Sequence, residues 1–391
     1  MCRTLLLLSL IATLLGGCKE FPDDLPPPSD SAPGKILLLD SLTPPDAQTG
    51  WWPDIGADSK DHVHVIYCDV YHGDLVYAHR NTKGVWSKER VDVAGAVGKY
   101  ASMAVAPTGE IHVAYYDQTQ KYLRYAKRSL DGTWMKSNIV WGLEVGMASE
   151  TVLDQEGTPH IFYYSPAGFL VHATPNAKNP TKWDKHELHE ALGGFSARIS
   201  PIVDGDTIWI SYLDWNFSEI ALYLGKLPLK NPRKFTTEFI TKANNPGWQS
   251  QLGFIDGQPQ ILSTSSLTRH LYVHQKSPEG LWVSKPIIKK VISFEAMVLN
   301  NAWHIFYEDA DVPIGKSGVM RLLSGKPKMW KHQSIDLNGP NGNHLALSQH
   351  KGKVIAAYYS QAVRGLKVYD ELLSPEFQPV PPAVPVPLQD L

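Results

Sequence analysis

The sequence predicts an all-β, seven-bladed β-propeller with an N-terminal strand closing the last blade. Three observations predict it. An apolar segment recurs seven times, six of them with a tyrosine at the same place, long helical periodicity is absent, and the seventh copy lacks a fourth strand that the N-terminal side of the chain can supply.

The recurring segment reads His64-Val65-Ile66-Tyr67-Cys68-Asp69, His112-Val113-Ala114-Tyr115-Tyr116-Asp117, His160-Ile161-Phe162-Tyr163-Tyr164-Ser165 and His304-Ile305-Phe306-Tyr307-Glu308-Asp309, with weaker copies beginning at Trp209, Gln260 and Ile355. Successive starts lie 48, 48, 49, 51, 44 and 51 residues apart, and a tyrosine follows three positions later in every copy but the fifth, which has Ser263. A period of this size fits four short strands with their turns, which is one propeller blade. Each copy begins with a strand such as Ser102 to Ala106 and a turn such as Pro107-Thr108-Gly109, Asp204-Gly205 or Asp256-Gly257. The tyrosine strand and a third strand such as Leu75-Val76-Tyr77-Ala78 follow. A further turn leads to an aromatic residue opening the fourth strand: Trp86, Trp134, Trp183, Phe235, Trp282 or Trp330.

The seventh copy ends near Gly365-Leu366-Lys367-Val368-Tyr369 and runs into a proline-rich tail over 375–391. Lys35-Ile36-Leu37-Leu38-Leu39-Asp40 precedes the first copy and is expected to complete the last blade, removing the open sheet edges that favour aggregation. No linker divides residues 34–374, so the propeller reads as one domain, expected to be monomeric.

Residues 1–17 read as a signal peptide: Arg3, then an apolar run from Leu5 to Leu15 that is too short for a stable membrane span. Leu15-Gly16-Gly17-Cys18 resembles the bacterial lipobox, which implies lipidation of Cys18. The chain is thus expected to be exported and lipid-anchored to a bacterial membrane. Lys19, which is not the aspartate that retains many lipoproteins at the inner membrane, favours the outer one. Residues 18–33 carry five prolines and read as a semi-rigid tether. Only Cys2, Cys18 and Cys68 exist, so the mature chain is expected to have no disulfide. With 37 basic against 39 acidic residues and no basic stripe, nothing in the charge pattern suits nucleic acid.

Ser129-Leu130-Asp131-Gly132-Thr133-Trp134, with the looser Asn81-Thr82-Lys83-Gly84-Val85-Trp86 and Ser277-Pro278-Glu279-Gly280-Leu281-Trp282, resembles the Asp-box turns of sialidase-like propellers. In that family the turn stabilises the fold. Its true sialidases have six blades, an arginine triad and a Tyr/Glu nucleophile pair. This chain shows seven repeats and no such triad by motif, and Arg198-Ile199-Ser200-Pro201, similar to the first-arginine motif, falls in the fourth repeat. The resemblance therefore implies architecture rather than sialidase activity.

His64, His112, His160 and His304 sit at equivalent places in separate blades. Zinc needs its ligands about 2.0–2.2 Å from one point, so these histidines read as hydrogen-bonding groups inside their own blades, and neither a metal site nor a cofactor is expected. Asp69, Asp117, Asp214 and Asp309 read as turn-capping residues, and the recurrent tyrosines and tryptophans as packing between blades.

Function is expected where the repeats differ, at the channel mouth. Aligned by repeat, the entry positions are Trp52, Tyr100, Ala148, Ser196, Trp248, Ile292 and Asn343; two residues on they are Asp54, Ser102, Glu150, Arg198, Ser250, Phe294 and Leu345. Trp52, Asp54, Tyr100, Glu150, Arg198, Trp248 and His344 are the candidate ligand-binding residues, because flat apolar faces beside carboxylates and a guanidinium suit a glycan or a peptide. The expected function is a membrane-anchored extracytoplasmic binding propeller for a glycan or protein. The alternative is a glycosidase or lyase acting on polysaccharide, drawing on Asp54, Glu150 and Glu295 as carboxylates or on Tyr100 and His344 with Arg198. The insertion Ala310 to Ser317 lengthens one turn of the sixth blade and offers a recognition loop.

Overall fold

The near-continuous apolar character of the tyrosine segments follows from their position. Val63–Asp69 and Ile111–Asp117 are buried at every residue, because each is the second strand of a sheet covered on both faces by neighbouring sheets. The computed structural model describes residues 25–29, 34–42, 47–142, 145–191, 197–215, 219–310, 318–326 and 329–372. These build seven four-stranded antiparallel sheets, the blades of a propeller. Cys18, the 1–17 segment, the 375–391 tail and residues 311–317 of the insertion lie outside the described residues.

Six blades take their strands in chain order from the axis outward. The seventh consists of Asn341–His350, Lys353–Ser360, Gly365–Asp370 and, outermost, Lys35–Asp40. The N-terminal strand pairs antiparallel from Lys35 opposite Asp370 to Leu38 opposite Lys367. Its period-two pattern separates the two faces. Leu39 is buried in the core between blades 7 and 1, while Ile36 and Leu38 face outward.

Charged clamps tie neighbouring blades. Asp92 ends the outer strand of blade 1 and accepts from Tyr115 Oη of blade 2 at 2.7 Å, while Arg124 and Lys136 of blade 2 pair with it at 2.7 and 3.1 Å. Asp336 of blade 6 receives Tyr358 Oη at 2.8 Å and Lys367 Nζ at 2.7 Å from blade 7. Asp40 plays the same part for blade 1, receiving Tyr67 Oη at 2.5 Å and Lys88 Nζ at 2.6 Å. The outer-strand tryptophans add a second tie: Trp134 Nε1 donates to Glu89 of the preceding blade at 3.0 Å, and Trp282 Nε1 to Glu238 at 2.9 Å.

Three of the four strand-two histidines hydrogen-bond within their blades as expected from sequence, whereas His304 Nδ1 is buried without a hydrogen-bond partner. His64 Nδ1 meets Tyr77 Oη at 2.7 Å, His112 Nδ1 meets Tyr125 Oη at 2.6 Å, and His160 Nδ1 meets His172 Nε2 at 2.8 Å. The tether expectation is narrowed, since residues 25–29 lie along the outer strand of blade 6. Ser29 N donates to the His332 carbonyl at 3.0 Å, Ser334 N to that of Ser29 at 2.9 Å, and Leu25 packs on the adjacent core. A single parallel bridge between Ser29 and Gln333 here covers part of a sheet edge.

Asp92 is 1% exposed, and its removal leaves the Tyr115 hydroxyl without its acceptor, while Arg124 keeps Asp117 at 3.4 Å and Lys136 is partly open to solvent. Asp92→Ala is expected to lose about 1–3 kcal/mol of unfolding free energy in urea titration of the purified chain. A loss below about 1 kcal/mol, the value of an exposed pair, would show that the clamp does not hold the blades.

Candidate functional site

The innermost strand of every blade has one edge facing the channel, where its amides need partners. Side chains of the neighbouring blade supply several. Asp54 Oδ2 accepts from Met103 N at 2.7 Å, Ser102 Oγ from Thr151 N at 2.8 Å, and Ser200 Oγ from Leu252 N at 3.0 Å. Asp54, Ser102, Glu150, Ser200, Gln251, Glu295 and Ala346 thus form the deeper tier of the channel, each paired across its hairpin at the equivalent position.

This register corrects the repeat alignment. Paired positions lie twelve residues apart in blades 1 to 3, as in Asp54 with Ile66, but eleven apart in blades 4 to 7, as in Ser200 with Ser211. The hairpin turn is one residue shorter in the later blades, and a one-residue slip exchanges the two faces of a strand. Arg198 therefore belongs to the upper tier, and Ser200, Gln251, Glu295 and Ala346 replace Arg198, Ser250, Phe294 and Leu345 in the deeper one.

The upper tier consists of Trp52, Tyr100, Ala148, Arg198, Gln249, Ser293 and His344, all lining a mouth cavity of about 590 Å³. Glu150 and Arg198 line both this cavity and a deeper one of about 170 Å³ that also includes Asp54. Of the seven sequence candidates, five meet at the mouth and Asp54 lies below them. The side chain of Trp248 lies outside the described residues, and its neighbours Gly247 and Gln249 line the wall instead.

The mouth is two-sided. Blades 7, 1 and 2 contribute an aromatic arc, with the Trp52 ring 4.8 Å from His344 and 4.7 Å from Tyr100. Trp51 backs it, 4.9 Å from His344. Blades 3 to 6 contribute Glu150, Arg198, Gln249, Arg269 and Ser293. Trp52, Tyr100 and Ala148 have positive φ values of 47°, 53° and 65°. The glycine two residues before each, Gly50, Gly98 or Gly146, also has positive φ. A Cβ at Gly50 or Gly98 would come within 3 Å of backbone at Leu366 or Leu75 on the preceding blade. The Gly-x pattern returns before Gln249 and His344, as Gly247 and Gly342, and is the sequence signal that would have placed both at the mouth.

Burial governs the charges. It pushes the Glu150 carboxyl up to about 7, against the opposing pull of Arg198. Burial likewise raises Asp54 to about 6, although amide hydrogen bonds from Met103 and Ile55 favour its anion. His344 falls to about 3 through burial and then the Arg198 charge, so its imidazole is neutral. Arg198 is ion-paired with Glu295, which also accepts from Gln251 Nε2, while Gln251 Oε1 accepts from Ser200 Oγ at 3.1 Å. The guanidinium is therefore held across the channel by Glu295 of blade 6, which Gln251 of blade 5 supports.

No family model matches the chain, and no curated protein matches it. Solved structures do. The SapL1 lectin in complex with alpha methyl fucoside is similar at 12% identity and a TM-score of 0.50, over 74% of this chain and 98% of that one. The phage phi92 endosialidase matches at 12% identity and 0.50, over 90% and 71%. AofleA from Arthrobotrys oligospora matches at 13% and 0.50, over 81% and 95%. Likeness at such identity shows the fold alone, a β-propeller.

The Glu150 carboxyl has a direct consequence for stability. Its folded value of about 7 lies above the unfolded value, about 4.3. Ionisation is therefore harder in the folded chain, and stability falls as pH rises from the unfolded towards the folded value. Glu150→Gln removes this penalty. The variant is expected to exceed the parent by roughly 1–3 kcal/mol at pH 8 and to match it at pH 4, in denaturation curves at both pH values. An identical difference at both would overturn the assignment.

Proposed function

We propose that this chain is an exported, membrane-anchored binding propeller whose channel mouth takes a glycan. One observation carries the reading: an aromatic arc of His344, Trp52 and Tyr100 faces a polar arc that includes Glu150, Arg198 and Gln249 across one cavity. A sugar ring has an apolar face that stacks on aromatic rings and an equatorial belt of hydroxyls that needs donors and acceptors. Glu150 and Gln249 can accept or donate there, and Arg198 is already oriented by Glu295. The SapL1 lectin, similar in fold and in complex with alpha methyl fucoside, is compatible with this use of a propeller.

A second reading, a glycosidase, has one observation in its favour. Glu150, raised to about 7, can hold a proton for a leaving group near neutral pH. Asp54 is poorly suited as its partner, because its two oxygens accept from the amides of Met103 and Ile55 at 2.7 and 2.8 Å. Anchoring rests on the lipobox-like Leu15-Gly16-Gly17-Cys18 and the apolar run before it.

The purified chain on an array of neutral and acidic glycans is expected to bind a defined subset. Trp52→Ala should weaken binding at least tenfold, about 1.4 kcal/mol, with its circular dichroism unchanged. Absence of any glycan ligand would overturn the proposal, and release of reducing ends that stops in Glu150→Gln would establish the glycosidase instead. For the anchor, the processed protein expressed in a bacterium is expected to partition into the detergent phase, and Cys18→Ser into the aqueous phase. Aqueous partitioning of the parent would remove the lipid from the proposal.

A further inference from the structure

The turn joining the first two strands of blade 1 lies at the opposite end of the first strand from Trp52. It gathers Asp58, His62 and His64, with one ligand-capable atom of each within 4.8 Å of the others. Asp58 Oδ1 is committed to the turn, accepting from the amides of Lys60 and His62 at 2.9 Å each. Asp58 Oδ2 lies 2.8 Å from His62 Nδ1 and 3.6 Å from His64 Nε2. His64 is 3% exposed, and its Nε2 is buried without a hydrogen-bond partner. Its Nδ1 is held by the Tyr77 hydroxyl at 2.7 Å. An outer hydrogen bond of this kind orients the imidazole of a metal-bound histidine.

Blade 3 shows the same turn with its histidine satisfied. Asp154 Oδ1 accepts from Thr158 N at 2.7 Å, and Asp154 Oδ2 meets His160 Nε2 at 3.2 Å. In blade 1 the residue at the Thr158 position is His62, which takes the carboxylate oxygen and leaves His64 Nε2 at 3.6 Å from it, without a hydrogen bond. The repeat is broken where the break brings two imidazoles and a carboxylate around one point. A second blade-1 feature adds to it: the His79 ring packs 5.1 Å from His62 and 5.4 Å from His64.

We propose that Asp58 Oδ2, His62 Nδ1 and His64 Nε2 bind a divalent transition-metal ion of the zinc class. Two imidazole nitrogens and one carboxylate oxygen are a donor set that zinc takes, with a fourth position left open. Bonds of about 2.0–2.2 Å place tetrahedral ligand atoms about 3.3–3.6 Å apart. The Asp58–His64 spacing of 3.6 Å has this value; His62 has to draw back from its 2.8 Å hydrogen bond, and the two imidazole nitrogens, within 4.8 Å of each other, have to close on the ion. The His62 side chain is 27% exposed, which gives the ion a path from solvent. The site is separate from the channel mouth and does not rest on the glycan reading.

The full chain, stripped with a chelator and dialysed, would be titrated calorimetrically with zinc chloride. One ion per chain at micromolar affinity or tighter is expected, with at least tenfold weaker binding in both His62→Ala and Asp58→Asn. The asparagine retains the oxygen that caps the turn, and circular dichroism verifies that both variants are folded. Cobalt(II) in place of zinc is expected to give the visible absorption of a tetrahedral site, abolished in His62→Ala. No saturable zinc binding, or binding undiminished in both variants because other histidines take up the ion, would overturn the proposal. Trp52→Ala is expected to leave zinc binding unchanged, and its loss there would also count against a separate site.

Discussion

A ring of sheets is stable only if every sheet has a neighbour on each face, so the structure depends on how its last blade is completed. Pairing of Lys35–Asp40 with Gly365–Asp370 meets that requirement with the residues farthest apart in the propeller. The pairing does more than cover an edge. Asp40 enters a contact with Tyr67 and Lys88 that Asp92 and Asp336 repeat elsewhere in the ring, so the closing interface is clamped like an ordinary one. Loss of this strand would expose backbone groups and also leave the Leu39 pocket between blades 7 and 1 unfilled.

Closure also creates the candidate site. The inner edge of each first strand cannot pair with another strand without blocking the channel, so neighbouring side chains satisfy its amides instead. Asp54, Ser102 and Ser200 are spent in this way, as parts of the scaffold. One layer up the same geometry points side chains into open space, and there the repeats diverge into an aromatic half and a polar half. Burial then sets the chemistry by holding Glu150 near neutrality and keeping His344 uncharged.

Much of this was legible in the sequence because the blade period is carried by large residues with one physical role each. The tyrosines three positions after six of the seven starts and the aromatic openers of the fourth strands mark the repeat. The candidate residues in blades 1 to 3 follow from it directly, since their spacing is uniform. Blades 4 to 7 are different. A hairpin turn shorter by one residue moves Glu295 and Gln251 into the deeper tier and Arg198 into the upper one, and no composition signal records that slip. The Asp58-x-x-x-His62-x-His64 pattern was equally visible. Its His64 belongs to a histidine repeat along the second strands, and only the fold of the turn brings Asp58 and His62 beside it.

By itself the sequence determined the fold class, the number of blades and the strand that closes them, since those rest on periodicity and on one unpaired segment at each end of the domain. Tertiary structure alone decided which side chains share a cavity, that Arg198 is held by Glu295, and that residues 25–29 dock on blade 6. The physical reason is that a repeat specifies contacts within a blade, over distances set by short turns. Contacts across the channel join residues tens to hundreds of positions apart, and a change of one residue in a turn is enough to reassign them.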